Sequence, residues 1–198
     1  MENKYSFQNY LYFDRWVSYW YQLREVLKLK PESLLIVGAG DGIVSELLKK
    51  YVGKLKTLDI NESLKPDFIA SVEAIPATNN DFETILCAEV LEHLPFDRFE
   101  FCLAELKRVV KKSVVLSLPH FGPPLKLSFK LPLVKEIKFA FKIPIAKNHK
   151  YIGNHYWEIG KKGYGALKIR KIILKYFKIK KEFVPFENQY HHFYILEK

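Results

Sequence analysis

The stretch Leu34-Leu35-Ile36-Val37-Gly38-Ala39-Gly40-Asp41-Gly42 constrains this chain more than any other. Four apolar residues run straight into three alternating glycines, and Ile43-Val44-Ser45-Glu46-Leu47-Leu48 then resumes at helical spacing. The pattern predicts a buried parallel strand, a tight turn and a helix start. Glycine accepts positive φ and lets a ligand approach the main chain without meeting a Cβ. The N–H groups of such a turn point at whatever sits above the strand end. Glycine turns after strands are common, so the rest of the chain decides whether this one marks a nucleotide-type pocket.

A helix of about 42–51 leads to a second strand over Leu55–Leu58, ending at Asp59, 17 residues past Gly42. A carboxylate at that strand tip can accept hydrogen bonds from both ribose hydroxyls, the second half of an adenosine pocket. Pro66–Val72 predicts a short third strand and Phe82–Ala88 a fourth, followed by Glu89-Val90-Leu91-Glu92-His93-Leu94. A helix near 96–111 and a fifth strand over Ser113–Leu118 complete the alternation. Strands alternating with helices predict a parallel sheet covered on both faces.

Upstream, residues 5–30 read as a helical lead-in, with Val17, Trp20, Leu23, Val26 and Leu27 at three- and four-residue steps. Its rings serve either as packing or as a cap on the pocket. Downstream of Pro119 the character changes. A helix is predicted between Pro132 and Pro144, with Lys135, Lys138 and Lys142 on one side and Leu133, Val134, Ile137 and Phe141 on the other. Such a basic amphipathic segment suits a membrane surface, a pocket cover, or a docked helix with solvated lysines. A helix near 163–177 and strands near 179–184 and 191–197 follow. The insertion would sit above the strand ends, where open α/β sheets bind ligands.

At 198 residues, 48% hydrophobic and 27% charged, the chain suits one globular domain. Its first residues lack a secretory pattern, and no apolar run approaches the ~18 residues of a membrane span. Cys87 and Cys102 have neither metal-ligand nor redox-motif spacing, so no metal is expected and a reducing cytoplasm fits. Charge is uneven: residues 1–110 carry 13 Lys and Arg against 17 Asp and Glu, a net of −4, while residues 111–198 carry 19 against 5, a net of +14. The basic half suits an acidic substrate, a nucleic acid or an anionic membrane. Lysine supplies most of the excess, whereas bidentate phosphate recognition calls for arginine.

Taken in order, Leu34–Gly42, Asp59, Pro66–Pro76 and Phe82–Leu94 resemble the class I S-adenosylmethionine-dependent methyltransferases, more narrowly the small type 11 group. Val90-Leu91-Glu92-His93-Leu94 is the most specific single piece, and the likeness spans about residues 31–118. The flanks Trp16-Val17-Ser18-Tyr19-Trp20-Tyr21 and His155-Tyr156-Trp157-Glu158-Ile159-Gly160 resemble a bacterial branch of that group. The resemblance implies a Rossmann-like α/β fold: a mostly parallel seven-stranded sheet with a C-terminal antiparallel hairpin and helices on both faces. It further implies one domain, with a helical cap (1–30), a cofactor core (31–118), a substrate-side insertion or lid (119–163), and a C-terminal helix and hairpin (164–198). S-adenosylmethionine would lie across the ends of strands one, two and four. Gly38, Ala39, Gly40 and Gly42 would bind the cofactor, the first three backing its methionine part, and Asp59 would hold the ribose. Ile60 would pack on the adenine with Ser71 and Val72 at its edge, and Cys87 and Ala88 would lie beneath the sulfonium. Two positions depart from the family pattern: Ile36 replaces an acid of the first strand, and Ser71 replaces an Asp near the adenine amine.

Methyl transfer from a sulfonium is an in-line displacement, so alignment is the main task. Aromatic faces stabilise the cation, for which Tyr19, Trp20 and Tyr156 are candidates. A hydroxyl or amine acceptor can need a general base. His155 is the first candidate and His120 the second; His149 and His191 belong to the same side, and His93 more often orders its turn. No Asn-Pro-Pro-Tyr type sequence follows strand four, which argues against methylation of a base or amide nitrogen by that route. The expected function is O- or N-methylation of a small-molecule or cell-envelope glycan or lipid acceptor. The alternatives are an RNA methyltransferase using the basic half, with steeply salt-dependent binding, and a non-catalytic binding module on the same fold. A Rossmann dehydrogenase would need Gly or Ala at position 43, where Ile43 stands.

Overall fold

A computed structural model describes residues 10–145, 147–151 and 154–198. The chain runs α1 (Phe13–Leu29), β1 (Ser33–Val37), α2 (Ile43–Leu48), β2 (Lys54–Asp59), β3 (Phe68–Ile69) and β4 (Phe82–Ala88). It continues through α3 (Phe99–Val109), β5 (Val110–Pro119), β6 (Pro124–Phe129), β7 (Ile137–Lys142), α4 (Ala166–Ile173), β8 (Lys178–Phe183) and β9 (His191–Glu197). Seven strands form one sheet in the order β3-β2-β1-β4-β5-β9-β8, parallel from β3 to β5 and antiparallel at β9 and β8. Strand order reverses between β1 and β4, and ligands of open α/β sheets bind at the carboxyl ends of such a switch point.

The continuous apolar runs of β1, β4 and β5 follow from burial on both faces. Leu34 and Ile36 of β1 point to one layer, where they meet Tyr19 and Val26 of α1 and Val44 and Leu48 of α2. Leu35 and Val37 point to the other, with Phe99, Cys102 and Leu106 of α3 and Ile169 and Ile173 of α4. The helices thus cover both faces. No helix among the described residues is long and apolar enough to cross a membrane.

Three local expectations are corrected. The third strand shrinks to Phe68–Ile69 because the Asp67 carboxylate accepts from the N–H and hydroxyl of Thr57 (2.8 and 3.0 Å), taking a ladder position with a side chain. In α1 the buried residues are Ser18, Tyr19, Gln22, Glu25 and Val26, whereas Trp20 is 61% exposed. Polar partners turn that helix: Glu25 meets Lys181 at 2.9 Å, and Ser18 meets His191 Nδ1 at 2.6 Å.

The third correction concerns the segment between Pro132 and Pro144, which is not a helix. It carries β7, paired antiparallel with β6 in a separate two-stranded hairpin. The governing period is two: Leu125, Leu127 and Phe129 lie opposite Phe141, Phe139 and Ile137, while Lys126, Ser128, Lys138, Ala140 and Lys142 fall on the other face. The lysine face is tied back to the body. Lys138 donates to Glu187 at 2.9 Å, Lys126 approaches the Glu187 carbonyl at 3.4 Å, and Lys142 donates to the His120 carbonyl. The apolar face is left in solvent, with Phe129, Ile137 and Phe139 each more than 60% exposed.

Candidate functional site

All three glycines of the β1–α2 loop have left-handed φ: +84° at Gly38, +57° at Gly40 and +81° at Gly42. Gly38 is required twice over. Its N–H donates to the Leu58 carbonyl at 2.8 Å, and a Cβ there would stand 2.5 Å from Cγ2 of Val90. The loop after β1 therefore packs backbone-first against the turn after β4. At the tip of β2, Asp59 Oδ2 accepts from the Ala39 N–H (2.8 Å) and Oδ1 from the Asn61 N–H (2.9 Å). Each oxygen keeps a further acceptor direction. Asp41 is braced by α1: its carboxylate accepts from the Tyr19 hydroxyl at 2.8 Å and the Ile43 N–H at 3.1 Å.

Above these strand ends lies a cleft of about 800 Å³, within the range of small-molecule sites. Gly38, Ala39, Gly40, Asp59, Ile60, Ser71, Val72, Ala88 and His155 all line it. Ile60 is 76% exposed, a free apolar side chain beside a polar loop. Gly42 faces instead a smaller groove of about 400 Å³ on the outer side of the same loop, shared with Ala39 and Gly40. Cys87 points away into the core with Cys102 and Leu103, and burial pushes its thiol far up. His120 does not line the cleft. It stacks on His192 at 5.1 Å with a ring-nitrogen contact of 3.0 Å, and burial pushes it down to about 3, so it stands neutral and paired. Of the aromatic candidates, Tyr19 and Tyr156 line the cleft; Trp20 does not.

Residues outside the sequence expectation shape the far end. Glu89 follows β4 with φ +55°, a conformation that costs a residue with a Cβ about 1–2 kcal/mol. Its backbone N–H donates to the Ser117 carbonyl at 3.1 Å, and its carboxyl accepts from the Ser117 hydroxyl at 2.9 Å and lies 3.5 Å from His191. Burial pushes Glu89 up to about 8 and His191 down to about 3, so the pair stands neutral. Three residues on, Glu92 has no exposed side-chain surface, and no donor among the described residues reaches either carboxylate oxygen. His155 stands 3.9 Å from Glu92 through Nε2 and 3.3 Å from Glu158 through Nδ1. Tyr190 donates to Glu158 at 2.5 Å. Tyr10 and Arg15 close the near side, the guanidinium 3.8 Å from the Tyr10 ring centroid. The signal for Glu89 and Glu92 was two acids just after the apolar end of a strand, Ile85–Ala88; Glu158, Tyr190 and Arg15 carried none, since only the fold brings them in.

Residues 35–118 match a family model described as a methyltransferase domain. Comparison of the sequence with curated proteins returns no match. Solved structures share the fold at low identity. The N-methyltransferase NodS from Bradyrhizobium japonicum WM9 has a TM-score of 0.62 at 12% identity, over 93% of this chain and 96% of that one. A SAM-dependent methyltransferase from Aquifex aeolicus has a TM-score of 0.57 at 18% identity, over 88% of each chain. The magnesium protoporphyrin IX methyltransferase of Synechocystis PCC 6803 has a TM-score of 0.59 at 13% identity, over 93% of this chain and 84% of that one. Residues 35–118 thus match the methyltransferase-domain family, and the chain as a whole shares the fold of S-adenosylmethionine-dependent methyltransferases.

Proposed function

We propose that this chain is an S-adenosylmethionine-dependent methyltransferase that transfers the methyl group to an oxygen or nitrogen of an amphiphilic, lipid-like acceptor. The observation that carries the reading is the hairpin β6–β7. It leaves the carboxyl end of β5, beside the cleft, and its lysine face is fastened to the body while its apolar face is turned outward. An outward apolar ribbon on a chain whose second half carries a net of +14 suits an acyl or polyprenyl chain at an anionic surface.

The cleft fits the methyl donor in the polar places where fit can be tested. Asp59 offers the ribose one acceptor direction per oxygen, already oriented by Ala39 and Asn61. Gly38, Ala39 and Gly40 would present backbone to the methionine part, Ile60 would cover the adenine with Ser71 and Val72 at its edge, and Ala88 would lie beneath the sulfonium. The donor supplies an electrophilic methyl group; the chain's own task is to bind, orient and exclude water. The segment 119–163 supplies the acceptor side, where His155 is aimed inward by Glu158 and Tyr190.

The test is to incubate the protein with tritium-labelled S-adenosylmethionine and a bacterial extract, then separate lipid, water-soluble and RNA fractions. Label should enter the lipid fraction, and the double variant Phe129→Glu/Phe139→Glu should lose both that labelling and flotation with anionic vesicles. Label found in RNA, or in water-soluble compounds at a rate the variant leaves unchanged, would overturn the reading.

A further inference from the structure

We propose that Glu92, His93 and His155 form a binding site for a divalent first-row transition-metal ion at the acceptor end of the cleft. The three side chains each bring a ligand atom within 4.8 Å of the others. Glu92 and His93 sit on the short turn after β4, and His155 arrives from the segment after the hairpin. The Tyr156 N–H donates to the Glu92 carbonyl at 2.8 Å, so the two segments are already fastened to each other.

Two features point to a cation rather than a chance cluster. The first is Glu92, fully buried with both carboxylate oxygens unreached by any described donor. A buried carboxyl without partners is costly, and a bound cation removes that cost. Glu158, 3.3 Å from His155, brings a further carboxyl to the same cluster.

The second feature is the orientation of the two imidazoles. His93 Nδ1 lies 3.0 Å from the Asn154 carbonyl, which can only accept, so Nδ1 carries the proton and the lone pair resides on Nε2. His155 Nδ1 faces the Glu158 carboxylate at 3.3 Å, which likewise places its lone pair on Nε2, the atom 3.9 Å from Glu92. The rings stand 4.9 Å apart at 66°. Metal-bound histidines are held in this manner, the outer nitrogen donating to a carbonyl or carboxylate. Ligand atoms about 2.1 Å from one ion lie roughly 3–3.5 Å apart, so a small side-chain rotation closes the 3.9 Å gap.

Two imidazoles and one carboxylate favour zinc, iron, cobalt or manganese over calcium or magnesium, which prefer oxygen ligands. Both histidines line the cleft, which leaves open positions facing the acceptor. This deepens the proposed function and rests on it: an ion there selects a hydroxyl acceptor, which it polarises. In the transfer the acceptor O–H gives its proton to solvent and its oxygen bonds to the methyl carbon. The carbon–sulfur bond breaks with its electron pair left on sulfur. His155 then acts as a ligand rather than as the general base expected from the sequence.

Protein stripped with a chelator should bind one equivalent of cobalt(II) by calorimetry and develop the visible absorption of a nitrogen- and oxygen-ligated ion. Glu92→Gln and His155→Ala should each weaken cobalt(II) binding tenfold or more. His155 is partly exposed, so that variant keeps the test independent of any folding defect from the buried site. S-adenosylhomocysteine is titrated in parallel. Its binding without cobalt(II) binding would sink the metal site alone, and its failure to bind would sink the methyl-donor placement. Cobalt(II) affinity unchanged in both variants, or binding of magnesium only, would also overturn the site.

Discussion

Replacing Gly38 by alanine tests the idea that the loop after β1 and the turn after β4 are one interlocked unit. Two costs are separable. The backbone at Gly38 has φ +84°, which charges a residue with a Cβ about 1–2 kcal/mol. The new Cβ would also stand 2.5 Å from Val90 Cγ2, against about 3.5–4.0 Å for an unstrained carbon contact. Relieving such an overlap by backbone and rotamer shifts costs about 1–3 kcal/mol, so Gly38→Ala should lose about 2–5 kcal/mol in all. Val90→Ala removes Cγ2 and leaves only Val90 Cβ at 3.9 Å, an ordinary contact. In that background the overlap share should vanish and only the φ share remain. Urea unfolding of the wild type, both single variants and the double variant gives the coupling directly. Affinity for S-adenosylhomocysteine should follow the same cycle, because Gly38 and Val90 both line the cleft. A Gly38→Ala penalty that is the same in both backgrounds, within about 0.5 kcal/mol, would refute the interlock.

Asp59→Ala should weaken S-adenosylhomocysteine binding about 30-fold, since hydrogen bonds to a charged acceptor contribute about 1.5–3 kcal/mol; an unchanged dissociation constant by calorimetry removes Asp59 from the site. Arg108 donates to Glu105, to the Ile75 and Ala77 carbonyls and to Asn79, fastening the loop before β4 to α3. Arg108→Met should cost about 2 kcal/mol in urea unfolding. Arg108, with the Ile75 N–H, holds the Glu105 carboxyl below its ordinary range. The stability this gives is present above the usual carboxylate pKa and is lost as pH falls through the lowered one. The variant's unfolding free energy should therefore fall less on acidification than the wild type's, and parallel pH profiles would disprove the role of Arg108.

The central sheet was legible because its signals are local and redundant. Leu34–Val37 and Ile85–Ala88 are apolar runs of the kind a doubly covered strand uses, and the alternating glycines announced their own positive φ. The hairpin was misread because Leu133, Val134, Ile137 and Phe141 also satisfy a helical period. The alternation in Leu125–Phe129 and Ile137–Lys142 becomes decisive only when the two runs pair. For α1, apolar spacing pointed to a face including Trp20, whereas buried Ser18 and Glu25 are set by distant partners, His191 and Lys181. His120 shows the same limit: its pairing with His192 depends on the register of β5 against β9.

The ribbon of β6 and β7 has a further consequence. It is two strands wide, so both of its long edges are open to any passing strand, and its outer face offers little charge to repel a neighbour. In the function proposed above, a lipid-like acceptor covers that surface. Purified without lipid or detergent, the protein would be driven to stack ribbon on ribbon, and its solubility would then report how well the natural cover has been replaced.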